Sequence, residues 1–234
     1  MRRVGLFVFM LGLVGVTNAA VADPTATRLE LFDGFAPDWR ERWEEQSLFS
    51  RPTHYAVMED GGRAVLHAQS TAANAGLLRR LPPNLGTSGQ LSWRWKIRRP
   101  LSGRQAERTR AGDDFAARVF VVFESSWLPL RTRAINYVWS AAQPEGAFYA
   151  SPYTSNVAMV VLRSGAAAAG QWSSEVRDLA ADYRRFFGTE PTRPSAEAVL
   201  VDTDNTGESA EAWFDELFLE INPPAPDSHP SPPK

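Results

Sequence analysis

The sequence predicts an all-β fold, an antiparallel β-sandwich of jelly-roll type with one short helix, on three observations. Several segments alternate apolar and polar residues with a period of two, and others are short unbroken apolar runs. Turn signals separate them, and no intervening helix is long enough for a βαβ crossover.

The chain opens outside that fold. Met1-Arg2-Arg3, the apolar run Val4 to Val16 and the small residues up to Ala20-Val21-Ala22 follow the order of a secretory signal peptide, with cleavage expected after Ala22. As a helix the run would span only about 20 Å, short of a hydrocarbon core of roughly 30 Å. No later segment approaches a membrane span, so the expected location is periplasmic or secreted. There is no cysteine, hence no disulfide and no thiol for a lipid anchor. With Arg2 and Arg3 removed, 23 of the 25 basic residues remain against 27 acidic ones, which implies no nucleic-acid partner.

Residues 23–221 read as a single domain. Its strands are expected at His54 to Glu59, Arg63 to Gln69, Leu77 to Leu81, Gln90 to Arg98, Phe115 to Glu124, Ala134 to Ala141, Val157 to Arg163, Ala196 to Asp202 and Ala210 to Ile221. Asp60-Gly61-Gly62 marks a hairpin turn. In Gln90 to Arg98, Leu91, Trp93, Trp95 and Ile97 face one way and Ser92, Arg94, Lys96 and Arg98 the other; Phe115 to Glu124 is apolar on both faces and therefore central. The helix starts at Asp178, which can cap it, places Leu179, Tyr183 and Phe186 or Phe187 at helical spacing, and ends at Gly188. Ser102 to Asp114 reads as an exposed charged loop. The proline-rich tail 222–234 is expected to be disordered.

The chain resembles the domain of unknown function 3047 family (DUF3047) over nearly all of this domain. The carriers are Trp93-Arg94-Trp95-Lys96, Gly112-Asp113-Asp114-Phe115-Ala116-Ala117-Arg118-Val119, Asn136-Tyr137-Val138-Trp139, Ser151-Pro152-Tyr153-Thr154, Asp182 to Gly188 and Asp202 to Ser209. That resemblance implies an exported bacterial protein and brings no catalytic residues. At the level of architecture the chain is also similar to galactose-binding-like jelly rolls, including carbohydrate-binding modules, through Leu31-Phe32-Asp33-Gly34-Phe35 with Trp39 and Trp43, and Ala212 to Leu217. This second resemblance implies that the first and last strands lie together and can share a structural calcium; no other cofactor is expected.

Three constellations carry candidate chemistry. Asp202-x-Asp204-x-Thr206-Gly207 begins like a calcium loop, but Trp213 stands at the twelfth position where a bidentate Glu is required, so a hairpin turn with Asn205-Thr206-Gly207 at its tip is the favoured reading. Asp113 and Asp114 precede the central strand, with Arg118 sharing a strand face with Phe120 and Val122, where a cation needs a partner. Among the aromatics, Trp93 and Trp95 read as core, and Tyr149 and Tyr153 as exposed candidates for stacking on a sugar. The three histidines are too scattered for a zinc site, and no G-x-S-x-G elbow occurs.

The expected binding residues are Asp113, Asp114, Arg118, Tyr149, Tyr153, Asp204, Asn205 and Glu208, gathered at one sandwich end with Arg118 paired to Asp114 or Asp204. The leading function is an exported non-catalytic binding or interaction domain for a glycan or another cell-envelope ligand. The alternatives are a glycan hydrolase or lyase using Asp113 or Asp114 with Asp204 and Tyr153, and an assembly partner of another envelope protein. Whether the protein is an enzyme stays open at this point.

Overall fold

The computed structural model describes residues 26–32, 38–47, 51–103, 106–123 and 132–222. The segment expected to be a signal peptide, Asp33 to Phe35 and the residues beyond Asn222 lie outside them. The elements run β1 (Thr27–Phe32), α1 (Trp39–Arg42), β2 (Glu44–Gln46), β3 (His54–Asp60), β4 (Arg63–Thr71), β5 (Asn74–Arg80), β6 (Gly89–Ile97), β7 (Phe115–Phe123), β8 (Arg133–Ser140), β9 (Phe148–Ala150), β10 (Val157–Ser164), β11 (Ser173–Asp178), α2 (Leu179–Phe187), β12 (Pro194–Asp202) and β13 (Ser209–Ile221). A single 3₁₀ turn, Arg110–Gly112, precedes β7.

Two sheets face each other in a jelly roll. One has the order β11-β6-β13-β4-β3 with β1 also on β13; the other is β2-β5-β12-β7-β8-β10-β9. The chain changes sheet on entering β2, β3, β5, β6, β7, β11, β12 and β13, so each sheet is built from strands distant in sequence. Among the described strands pairing is antiparallel except for β8 beside β10. That parallel pair arises because β9 takes the edge position and turns the chain back, so that β10 inserts between β9 and β8.

The core follows from the alternation. Trp93 and Trp95 of β6 point inward and meet Tyr137 and Trp139 of β8, with ring centroids 5.3 and 5.8 Å apart. β7 is buried along its whole length, as its apolar composition on both faces requires. In the β3–β4 hairpin, Gly61 and Gly62 both take positive φ, +62° and +82°, the geometry that a two-residue turn needs and that glycine supplies without strain. The strands absent from the sequence reading, β1, β2, β9 and β11, are short or polar, and β2, β9 and β11 sit at sheet edges; β11 carries one apolar side chain, Val176, which is exposed.

β13 is long enough to change partners. Its first half pairs with β4 and its second half with β1, while β6 lines the other side from Ala212 to Ile221. The switch is a bulge at Asp215 and Glu216, the latter with φ +52°. Asp215 is fully buried and holds Arg63 at 3.1 Å and Arg94 at 2.5 Å, and Glu216 pairs with Arg63 at 2.9 Å. These ion pairs hold the bulge in a conformation that side-chain-bearing residues rarely take.

The helix α2 forms where expected. The Asp178 carboxylate accepts the Ala181 N–H at 2.9 Å, and Gly188 closes the helix in the left-handed region. Tyr183 packs on Phe123, 4.7 Å between centroids, and Asp182 accepts from the Tyr137 hydroxyl at 2.9 Å and from Arg177, which fastens the helix to the sandwich end.

Glu197 is an anomaly inside the sandwich. It shares the inner face of β12 with Val199 and Val201, is 1% exposed, and neither carboxylate oxygen has a hydrogen-bond partner among the described residues. Burial pushes its pKa well above 4.5, opposed by its cross-strand neighbour Arg79. The folded state therefore holds this proton more tightly than the unfolded chain, and stability falls as pH rises from about 4.5 toward the folded pKa. Glu197→Gln is expected to match the parent at about pH 4 and to exceed it in urea midpoint at about pH 8; equal midpoints at both values would remove the buried-acid reading.

Candidate functional site

A guanidinium on the outer face of the seven-stranded sheet organises the site. Arg118 lies in β7 beside Phe120 and is 3% exposed, so its charge must be neutralised locally. Its neighbour across the β7–β12 ladder supplies the counter-charge. The register shifts between Leu200 and Asp202, which leaves the Phe115 N–H outside the regular ladder. Asp202 fills that gap: its Oδ1 accepts from Phe115 N at 3.1 Å and Arg118 Nε at 2.8 Å, and its Oδ2 from Arg118 Nη2 at 2.6 Å. Arg118 also donates to the Asp113 main-chain carbonyl and stacks on the Phe115 ring at 4.4 Å. The partner of Arg118 is thus Asp202, not Asp114 or Asp204 as the sequence suggested. Burial alone would lower the Arg118 pKa, but Asp202, Asp113 and Asp114 hold it above the ordinary arginine value, so it stays charged.

Asp114, 1% exposed, clamps the turn that leaves β12. Its Oδ1 accepts from Asn205 N at 3.3 Å and Asn205 Nδ2 at 3.0 Å, and its Oδ2 from Thr206 N at 2.6 Å and Thr206 Oγ1 at 2.7 Å. That turn is not the hairpin expected from Asn205-Thr206-Gly207. β12 and β13 belong to different sheets, and residues 203–208 carry the chain between them, closed by Gly207 N to Thr203 O at 2.9 Å. One oxygen from each of Asp114, Asp202 and Asp204 lies within 4.8 Å of the others, a spacing that a single metal ion can bridge.

Two carboxylates are less committed. Asp113, 6% exposed, has an Oδ1 with no hydrogen-bond partner among the described residues, 3.6 Å from Arg118 Nη2. Burial raises its pKa to about 6, with Arg118 opposing and Asp114, Asp204 and Glu107 adding to the rise. Asp204 is half-buried; Asn74 donates to its Oδ1 at 3.1 Å, and burial with the nearby Asp114 moves its pKa upward.

The tyrosines differ from expectation. The Tyr153 hydroxyl lies 3.0 Å from Asn205 Oδ1 and 3.1 Å from the Arg110 carbonyl, and burial pushes its pKa up to about 12. Tyr149 is buried at 9% exposure, its ring stacked under Arg108 at 4.4 Å and its hydroxyl without a partner among the described residues, so it is not an exposed stacking surface. The loop before β7 is likewise partly buried: Glu107 reaches under it to the Ser140 hydroxyl and to Ala141 N at 2.6 Å. Glu208 stands apart, binding Ser102 N at 2.9 Å and Ser102 Oγ at 2.6 Å, so it ties down a different loop. Asp182 is engaged by Arg177 and Tyr137 beside α2, away from this cluster. Asp202, Asn74 and Glu107 were absent from the expected set, although Asp202 opened the apparent calcium loop.

The profile of the family described as "Protein of unknown function (DUF3047)" matches residues 41–218. No curated protein matches the sequence. Among solved structures, the family 11 carbohydrate-binding module of the cellulase Lic26A-Cel5E of Clostridium thermocellum is similar at 10% identity and TM-score 0.43, over 88% of this chain and 99% of that one. A family 29 carbohydrate-binding module is similar at 9% identity and TM-score 0.39, over 85% and 90%. The enzymatically active domain of tailspike protein 4 of bacteriophage CBA120 gives 8% identity and TM-score 0.40, over 77% and 19%. At this distance none of them assigns a ligand to the chain.

Removing one partner of a buried ion pair strands the other, at a cost of about 3–5 kcal/mol. Arg118→Met is expected to lose stability of that order. Asp202→Asn retains an acceptor for Phe115 N and should lose less. In the double variant the two losses should fall short of their sum by about 1–3 kcal/mol in urea unfolding; strict additivity would mean that the pair is not the organising contact.

Proposed function

The chain belongs to the DUF3047 family, and from that premise we propose that it is an exported, non-catalytic binding domain whose ligand is a polyhydroxylated molecule, a glycan of the cell envelope. One observation carries the reading: the cluster divides into carboxylates used by the protein and carboxylates that keep acceptor capacity. Asp202 and Asp114 are consumed by Arg118, Phe115, Asn205 and Thr206. Asp113 keeps an unpartnered oxygen, and both side-chain donors to Asp204, Asn74 and Asn205, reach its Oδ1. Sugar hydroxyls are donors suited to such oxygens, and a hydrogen bond to an ionised carboxylate is roughly twice as strong as a neutral one. The partly exposed Tyr153 ring beside them offers an apolar face of the kind that ligand sites combine with a few placed polar groups. The acidic balance of the site disfavours an anionic ligand.

A hydrolase or lyase is the second reading, and the observation in its favour is Asp113. A carboxyl with a pKa of about 6 beside Asp204 and Tyr153 is suited to proton transfer near neutrality. Turnover of an envelope glycan with a pH limb near 6 that Asp113→Asn abolishes would establish it; binding without turnover supports the binding domain. The assembly-partner reading has less support, because among the described residues the exposed large apolar side chains are Met58 and Val176, on strands at opposite edges of one sheet.

The protein recovered from the periplasm or medium should begin at Asp23 by N-terminal sequencing. Screened against envelope glycans by array or native mass spectrometry, it should bind at least one, and Asp113→Asn should weaken that binding about tenfold, equivalent to about 1.4 kcal/mol. Arg28→Ala, on β1 and exposed, should leave it unchanged. Silence across the glycans removes the carbohydrate reading.

A further inference from the structure

We propose that Arg79 and Glu197 form a proton-controlled latch between the two sheets: with Glu197 protonated, Arg79 holds the end of β1 closed, and with Glu197 ionised, Arg79 turns into the core and lets that end open. Arg79 lies on β5 of the seven-stranded sheet, yet its Nη1 donates to the carbonyls of Glu30 and Leu31, at 2.9 Å each, on β1 of the other sheet. Those carbonyls sit where the β1–β13 register shifts, between Glu30 and Phe32. Such an irregularity leaves main-chain groups outside the ladder, and here a side chain from the opposite sheet satisfies them.

The acid beside Arg79 marks this arrangement as one of two. Arg79 and Glu197 stand directly opposite each other on the β5–β12 ladder. Opposed residues have Cβ atoms about 4.5–5.5 Å apart, close enough for oppositely charged side chains to pair. These two do not pair: both Glu197 oxygens lack a partner among the described residues although the side chain is buried, while the guanidinium is turned away to β1. A neutral carboxyl tolerates that position far better than a carboxylate, and burial holds the Glu197 pKa well above 4.5, with Arg79 opposing. Loss of the proton leaves a buried charge that needs a counter-ion, and the cation across the ladder is Arg79.

The surroundings favour Arg79 as the group that moves. The charged groups around the pair are Arg42 at the end of α1, Glu30 on β1, and Glu44 and Glu45 on β2, all exposed, with Glu44 held by Arg80. β7 stands opposite Glu197 with Val121, and the inward side chains Leu31 of β1 and Leu219 and Ile221 of β13 are apolar. Glu30 is exposed, so water can replace Arg79 at its carbonyl; Leu31 and Phe32 are buried and lose their fastening. Phe32 meets the Trp39 ring edge-on at 6.5 Å, so the loosening reaches α1. Rising pH therefore opens the latch and acidification closes it. Arg118 lies on the outer face of the same sheet, and the latch does not depend on the glycan reading.

Hydrogen exchange read by mass spectrometry on the purified protein, from about pH 4 to about pH 9 with rates corrected for the intrinsic chemistry, reports the end of β1 directly. Protection over residues 27–32 should fall at least about tenfold as pH rises, equivalent to about 1.4 kcal/mol, while β7 keeps its protection. Glu197→Gln, which cannot ionise, should hold the acidic-side protection throughout, and the exposed Glu190→Gln should behave as the parent. Arg79→Gln should lose protection of β1 at every pH. In the unmodified protein the Glu197 carboxyl carbon, followed by NMR, should titrate with the same midpoint as the exchange, which keeps the test valid if a variant fails to fold. Protection of β1 that does not change with pH, a loss that survives Glu197→Gln or is shared equally by β7, parent-like protection in Arg79→Gln, or two different midpoints overturns the proposal.

Discussion

A guanidinium placed on an apolar sheet face is tolerated only where its counter-charge is built into the next strand. Arg118 has Phe120 and Val122 for neighbours along β7, and without Asp202 its burial would cost several kcal/mol. That requirement propagates. Asp202 can reach Arg118 and the Phe115 amide together because the β7–β12 ladder slips by one position where it ends. The slip brings the loop before β7 against the turn after β12, and Asp114 closes the junction with four hydrogen bonds. The polar cluster at this end of the sandwich is the consequence of one buried pair.

The jelly-roll connectivity gives the junction a second meaning. Because residues 203–208 pass from the seven-stranded sheet to the other one, the contacts that fix this turn also fix how the sheets meet at that end. Ser70 and Thr203, whose hydroxyls lie 2.8 Å apart, add a buried bridge at the same place. At the other end the sandwich is closed by α2, whose Asp182 joins Arg177 to the Tyr137 hydroxyl. Between the ends, the inward tryptophans of β6 against Tyr137 and Trp139 supply the burial that a chain without disulfides depends on.

Placement and role separate within the cluster. Asp113, Asp114, Arg118, Asp204, Asn205 and Tyr153 converge because the start of β7 and the end of β12 are antiparallel neighbours, a relation that two strongly apolar runs already suggested. Glu208 and Tyr149 diverged from the reading for identifiable reasons. Glu208 lies beyond the left-handed Gly207, which turns the chain toward Ser102, and Tyr149 sits on the edge strand β9, whose pairing with β10 carries its ring under Arg108. A three-residue strand leaves too short a pattern for periodicity to register.

What the sequence by itself determined is local. Period-two alternation fixed the faces of β6, an unbroken apolar run made β7 central, Gly61-Gly62 made the first hairpin, and Asp178 with Gly188 bounded α2. These depend on neighbours a few residues apart, and steric and hydrophobic rules act at that range. Only the tertiary structure decided that β8 and β10 run parallel, that the turn after β12 joins two sheets, and that Arg118 takes Asp202 from among four nearby carboxylates. Each of those outcomes depends on the register of strands more than sixty residues apart or on which edge a connection crosses. A carboxylate's chemical character is written in its residue type, whereas its partner is set by a distance that no spacing along the chain encodes.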